Sequence, residues 1–246
     1  STGKEKTISC NFFLSCAGYY SYESGYQPKF EGKNNFKGEI IHPQDWPKNL
    51  DYSNKKIVVI GSGATAVTIV PAMTDKAKHV TMLQRSPTYM MSLPAKDESI
   101  NKLRKYLPDN VVYRIARTRN VALSMGTYQI SRRFPEKTKE FLLAQVEKQL
   151  GPNYDMKHFT PNYNPWDERL CAVTNGDLFK AIKNNKASVV TDHIKKFTQE
   201  GILLESGEIL EADIIITATG LNVQMLGGIK LSVDNKKFNI TEKMLY

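Results

Sequence analysis

The stretch that decides the fold runs Lys55-Lys56-Ile57-Val58-Val59-Ile60-Gly61-Ser62-Gly63-Ala64-Thr65-Ala66. Its apolar, β-branched run up to Ile60 predicts a buried strand, and Ala64 to about Met73 predicts a helix with Pro71 near its end. Between them Gly61 permits a tight turn and Gly63 lets backbone approach a pyrophosphate. Ala66 stands where a third small residue lets the helix pack close to the strand. The helix N-terminus adds free N–H groups and the positive end of its dipole. Gly61, Ser62, Gly63, Ala64, Thr65 and Ala66 are therefore the expected dinucleotide-binding turn. His79 to Leu83 reads as the next strand, closing a β-α-β unit of roughly 30 residues.

The residues after that second strand bear on which dinucleotide is held. An acidic residue there takes a ribose 2′-OH, whereas a cation suits a 2′-phosphate. This chain carries Gln84-Arg85-Ser86. A guanidinium can clamp a phosphate with two parallel hydrogen bonds, and a serine adds a third. Arg85 and Ser86 thus point to NADPH rather than NADH.

Outward from this unit, Glu98 to Leu150 shows apolar residues at helical spacing (Phe141, Leu142, Val146, Leu150) and reads as a helical insertion. Gly151 to Asn175, rich in Pro, Asn and Tyr, reads as a long functional loop. Asp177 to Ile182 predicts a helix and Ala187 to Thr191 a strand. Ile202 to Glu205 and Glu208 to Glu211, joined by Ser206-Gly207, predict a hairpin. Asp213 to Thr217 predicts a buried strand running into Ala218-Thr219-Gly220. Near the start, Ser9 to Ser15 predicts another buried strand that ends at Ala17-Gly18, and Tyr19 to Asn35 a connecting loop. The fold class that follows is α/β, a Rossmann-like three-layer domain with a helical insertion and a β-hairpin or meander.

Composition narrows the function classes. The chain has 246 residues, 41% hydrophobic and 24% charged, which is ordinary for a globular protein with a real core. Its net charge is +9, but the basic residues are scattered rather than massed beside stacking aromatics, which argues against nucleic acid. No apolar run approaches the ~20 residues of a membrane span, although peripheral contact with an anionic surface stays open. The polar start, Ser1 to Thr7, carries no signal-peptide pattern. Cys10, Cys16 and Cys171 have no metal-ligand spacing and are expected to be buried thiols of a reducing cytoplasm. No metal site is expected.

Four motifs occur in one order: Phe36-x-Gly38-x3-His42-x3-Trp46-Pro47, then Gly61 to Ala66, then Gln84-Arg85-Ser86-Pro87, then Ala218-Thr219-Gly220. That order resembles the class B flavoprotein monooxygenases of the Baeyer–Villiger type, which carry FAD and NADPH in two separate Rossmann domains. His158 to Cys171 (H-F-T-P-N-Y-N-P-W-D-E-R-L-C) with Asn175 to Phe179 is similar to the branch that includes the mycobacterial ethionamide-activating enzymes. The resemblance runs from about Ile8 onward.

The resemblance implies an enzyme that uses NADPH and FAD to trap O2 as a flavin peroxide. One oxygen atom then goes into a small ketone, or onto the sulfur of a sulfide or thioamide, or an amine nitrogen. It also implies that Arg169 is catalytic, a fixed cation over the flavin that stabilises the negatively charged peroxide. From the residues alone, Arg169 reads equally as a loop residue paired with Asp167 or Glu168. His42 falls in the segment that couples cofactor-domain rotation to catalysis, and equally reads as a structural hydrogen-bonding histidine. Ala218, Thr219 and Gly220 would form a cofactor-lining crossover. Glu168 departs from the lysine that many members carry there, which leaves the 2′-phosphate to Arg85.

The same comparison lays out the domains. Residues 1–35 would be the end of an FAD domain and the first crossover, and 36–54 the Baeyer–Villiger motif linker. Residues 55–217 would be the NADP(H)-binding domain, and 218–246 the return crossover with the start of a second FAD segment. The family's first GxGxxG is not found, so a partial chain, inactive alone, is expected. Two other readings stay open: a non-catalytic NADP(H)-sensing module, and a simple flavin-containing N- or S-oxygenase.

Overall fold

The computed structural model describes residues 3–240. In chain order its first strands are β1 (Tyr20–Gly25), β2 (Glu39–Ile41), β3 (Lys56–Ile60), β4 (His79–Gln84), β5 (Tyr89–Leu93), β6 (Leu170–Thr174) and β7 (Ala187–Thr191). There follow β8 (Ile194–Phe197), β9 (Gly201–Leu204), β10 (Ile209–Glu211), β11 (Ile214–Thr217), β12 (Leu221–Val223), β13 (Leu231–Val233) and β14 (Lys236–Phe238). The helices are α1 (Ala64–Met73), α2 (Glu98–Leu103), α3 (Asp109–Arg133), α4 (Pro135–Leu150) and α5 (Asp177–Lys183). Two compact units result, Pro28–Ala218 and Ser1–Gln27 with Thr219–Tyr246.

The larger unit is built on a parallel sheet of order β2-β11-β3-β4-β7. Its central strands are apolar on both sides, as a sheet covered on both faces requires. Alternation sorts them. Ile57, Val59, Ile214 and Ile216 share a core with Ala66, Val67 and Val70 of α1 and Leu178, Phe179 and Ile182 of α5. Val58, Ile60 and Ile215 share the other core with Phe197, Ile202, Leu204 and Leu210. These last residues belong to the antiparallel meander β8-β9-β10. The three layers are therefore helices, parallel sheet and meander. Each fully buried Val or Ile in them stabilises the fold by about 1.5–3 kcal/mol.

The helical insertion over 98–150 forms as three helices. The Asp97 carboxylate caps α2 by accepting from Ile100 N at 3.1 Å, and its ion pair with Arg119 ties that cap to α3. Pro135 opens α4 at a position where its missing N–H costs nothing. Leu142, Val146 and Leu150, one helical stripe, are buried. The loop from Gly151 is shorter than expected: its last residues form β6, which pairs in parallel with β5, Tyr89 opposite Leu170. Neither β5 nor β8 has the alternation that would have marked it.

In the smaller unit, β1 pairs antiparallel with β12. β13 and β14 form a hairpin turned by Asp234 and Asn235, both at positive φ. Three expectations are corrected here. Ser9 to Ser15 forms no strand and Phe12 is 80% exposed, because no neighbouring strand among the described residues takes its backbone hydrogen bonds. Tyr19 to Asn35 is not all loop, since β1 lies within it. Cys10 and Cys16, on this unit, are exposed; only Cys171 is a buried thiol.

Candidate functional site

The strand order places a topological switch between β3 and β11, because the chain moves outward from β3 through β4 to β7 and then returns to β11 on the other side. In open α/β sheets ligands bind at the carboxyl ends of the strands at such a point. Gly61 follows β3 there and Ala218 follows β11. A Cβ on Gly61, at φ +133°, would lie 2.5 Å from the Ala218 carbonyl oxygen. The close approach of these two strand ends, as well as the turn, requires glycine.

Gly63 has a different reason to be glycine. It is the N-cap of α1 with ordinary extended backbone, no side chain caps the helix, and a Cβ would meet nothing within 4 Å. The first N–H groups of α1 are thus uncapped behind open space, which fits an anion. Ala64 and Thr65 are exposed at this edge, and Ala66 is fully buried beneath it. Ser62 is turned inward. Its Oγ lies 3.0 Å from Thr88 Oγ1, and its carbonyl accepts from the Cys171 thiol at 3.6 Å. Only the backbone of Ser62 is left to face a ligand.

Three other motif residues of the larger unit, Arg85, His42 and Ala218, follow strands at the same edge. Arg85 follows β4 and is exposed; no ion pair or hydrogen bond among the described residues engages its guanidinium, and Ser86 is half-buried beside it. His42 follows β2 and is buried, its Nδ1 accepting from Gln44 N at 3.2 Å as the cap of a short 3-10 turn. Thr217 Oγ1 donates to Ile41 O at 3.2 Å and fastens β11 to β2 just beside it. His42, Ala218, Gly61 and Arg85 are thus the residues after four adjacent strands. Thr219 and Gly220 belong to the smaller unit, where Thr219 Oγ1 donates to Tyr26 O at 2.6 Å and Gly220 O accepts from Tyr26 N.

Arg169 comes from outside the sheet. It immediately precedes β6, and Cys171, two residues on, reaches the glycine turn through its thiol. Burial pushes that thiol pKa up while the Arg169 charge pulls it down. The Arg169 carbonyl accepts from Tyr163 Oη at 3.0 Å, and the Tyr163 carbonyl accepts from Tyr89 Oη at 2.7 Å. The two rings meet edge to face. Burial drives the Tyr89 phenol to about 12, so it stays a donor at any physiological pH. Asp167 pairs with Arg132, not with Arg169. The Arg169 side chain is exposed and has no such partner among the described residues.

Residues to which the sequence assigned no role complete the edge. Gln84 is buried at the end of β4, where its Nε2 donates to His158 O at 2.6 Å and to Thr191 Oγ1 at 2.9 Å. His158 Nδ1 lies 2.8 Å from the same hydroxyl, and burial, aided by Lys157, holds the imidazole below its ordinary pKa. Thr88, Tyr89 and Tyr163 are the other additions. Their signal was weak, since each acts only through contacts distant in sequence. A wider cleft of about 850 Å³, bordered by Lys37, Lys55 and Lys78, lies at the opposite, amino end of the sheet, and of the motif residues only Gly38 borders it. Among the described residues no cluster suits a metal ion, and no helix is long and apolar enough to cross a membrane.

A parallel sheet with a glycine turn at its switch point and a helical insertion defines a dinucleotide-binding α/β protein. The chain belongs to the flavin-binding monooxygenase-like family, which matches residues 1–240. It is 55% identical over 249 residues to MymA of Mycobacterium tuberculosis, covering 100% of this chain and 50% of that one. It is 53% identical over 246 residues to the FAD-containing monooxygenase EthA of Mycolicibacterium smegmatis, covering 99% and 50%. The chain spans about half the length of these relatives. Its fold is similar to that of OTEMO in complex with FAD and NADP (TM-score 0.68, 20% identity, 94% of this chain and 52% of that one). Cyclohexanone monooxygenase is also similar (TM-score 0.64, 19% identity, 85% and 48%).

Proposed function

We propose that this chain supplies the NADP(H)-binding portion, about residues 55–217, of an FAD- and NADPH-dependent monooxygenase acting on small ketones or on soft sulfur or nitrogen centres. The observation that carries this reading is the convergence of separate motifs on one edge: His42, Ala218, Gly61 and Arg85 each follow one of four adjacent parallel strands. The uncapped N–H groups of Ala64, Thr65 and Ala66 would receive the pyrophosphate, and the unpaired Arg85 with Ser86 the 2′-phosphate. Ala218, directly after β11, would continue the cofactor-lining edge of the larger unit.

When bound, FAD supplies the centre at which two electrons from NADPH activate O2, one oxygen atom entering the substrate and the other leaving as water. Arg169 would hold a fixed positive charge where negative charge develops on the reacting oxygen, with its backbone braced by Tyr163 and Tyr89. His42 would set the path of the linker between strand β2 and Trp46 through its bond to Gln44 N. Three thiols without disulfides suit a cytoplasmic setting.

The test is Arg169→Ala in a chain extended to the length of its relatives, supplied with FAD, NADPH and a ketone. NADPH oxidation should persist while ester formation is lost. Ester formed at the unmodified rate would exclude Arg169 from the chemistry.

A further inference from the structure

Residues 160–169, which end in Arg169, lie outside helix and strand and are fixed largely by side chains. On one side Asp167 pairs with Arg132 of α3, and the Trp166 ring meets Tyr128 of α3 edge-on at 5.7 Å. On the other side the ties run to the glycine turn, and they meet at Ser62. Its carbonyl accepts from the Cys171 thiol at 3.6 Å, and its Oγ lies 3.0 Å from Thr88 Oγ1.

Ser62 and Thr88 are buried, Thr88 wholly so. A valine would fill the Thr88 site at nearly the same volume without taking a hydroxyl out of water, so the bonds of that hydroxyl must offset its desolvation. Besides Ser62, its hydrogen-bonding neighbour is the Tyr163 phenol. Each of these three hydroxyls has one proton to give. Tyr163 Oη gives its proton to Arg169 O at 3.0 Å, which leaves the phenol oxygen to accept from Thr88, and Thr88 to accept from Ser62. The hydroxyls thus run head to tail from the glycine turn to the Arg169 carbonyl.

Hydroxyls in such a chain polarise one another, so removing the middle one releases both ends. Thr88 also immediately precedes β5. The first residue of that strand, Tyr89, donates to Tyr163 O at 2.7 Å and stands opposite Leu170 in the β5–β6 pair. The main chain at Arg169 is therefore referred to one fixed point, the Ser62–Thr88 pair behind the turn. Both side chains are buried there, so neither is placed to touch a bound dinucleotide.

We infer that Ser62 and Thr88 are positioning residues: through Tyr163 they set where Arg169 stands relative to the glycine turn. The placement follows from the contacts above; its consequence for oxygen transfer rests on the reading that Arg169 stabilises the reacting oxygen. A fixed cation acts only at the right distance, so a displaced Arg169 forfeits product while NADPH oxidation continues.

Amide hydrogen exchange, read by mass spectrometry on this chain without cofactor, tests the placement in Thr88→Val, Thr88→Ser and Tyr163→Phe. Thr88→Val should speed exchange across residues 162–169 about tenfold, the worth of the bonds lost, and leave β3 and β4 unchanged. Tyr163→Phe should do at least as much, and Thr88→Ser, which keeps the hydroxyl, should hold the parent rates. No acceleration in 162–169, equal acceleration throughout the sheet, or no rescue by serine would overturn the assignment. In a chain extended to the length of its relatives, with FAD, NADPH and a ketone, Thr88→Val should lower ester formed per NADPH oxidised about tenfold or more, with KM for NADPH within about twofold of the parent. Full ester yield in Thr88→Val where Arg169→Ala has lost it would overturn the positioning role alone. Ester at the parent rate in Arg169→Ala would instead refute the catalytic reading, and the exchange result would then decide whether the relay holds the Arg169 backbone.

Discussion

Two glycines of one turn should fail in opposite ways when each is given a methyl group. At Gly61 the backbone sits at φ +133°, and the new Cβ would press to 2.5 Å of the Ala218 oxygen and 3.3 Å of its carbon. Both are backbone atoms at the β3–β11 contact, which neighbouring strands hold on either side. The dihedral strain is worth roughly 1–3 kcal/mol and the forced repacking roughly another 1–3 kcal/mol. Taking about 3 kcal/mol, Gly61→Ala should lower the thermal midpoint by about 6–12 °C in a domain of this size. Gly63→Ala meets open space at an ordinary φ, so its midpoint should stay within about 2 °C of the parent. Its methyl would nonetheless stand before the uncapped amides of α1, and NADPH affinity by calorimetry should fall at least tenfold. An unchanged midpoint in Gly61→Ala, or a loss of stability in Gly63→Ala equal to that in Gly61→Ala, would refute the reasoning.

Arg85→Ala should cost NADPH affinity about 10- to 100-fold, the worth of charge-assisted contacts to one phosphate, and change NADH affinity less than about threefold. Equal losses for both nucleotides, read by calorimetry, would remove the 2′-phosphate assignment. His158 is held below its ordinary pKa by burial and Lys157, with Asp155 opposing. The unfolded chain therefore binds the proton first, so the stability from the Gln84–Thr191–His158 group is complete above about pH 6.5 and is lost as pH falls toward the depressed folded value. The thermal midpoint should drop between pH 7.5 and 5.5, and drop less in His158→Asn; identical slopes would contradict this.

The central sheet was legible because its strands carry their own burial pattern. Ile57 to Ile60 and Ile214 to Ile216 are apolar at every position, and only a strand covered on both faces needs that. The boundaries of α1 and β7 followed from the glycine turn and from the short β-branched run Ala187 to Thr191. Strand β5 was missed because Tyr89-Met90-Met91-Ser92-Leu93 has neither alternation nor β-branching, and it exists only through pairing with β6. Ser9 to Ser15 failed in the reverse sense, having strand composition but no partner among the described residues. The site divides in the same way. The glycine turn and Arg85 declare themselves by local chemistry. What Arg169 rests on does not, because Tyr163 and Tyr89 act through backbone carbonyls that no side-chain motif announces. Asp167, the obvious partner for Arg169 by sequence, is taken by Arg132 from a helix 35 residues away.

The central claim is that the carboxyl edge of the parallel sheet is an NADP(H) site, and amide chemical-shift mapping on titration with NADPH tests it most directly. The account predicts saturable shifts concentrated at Gly63, Ala64, Thr65, Arg85 and Ser86. Shifts confined to the amino-end cleft around Lys37, Lys55 and Lys78, or no saturable shifts at all, would contradict it.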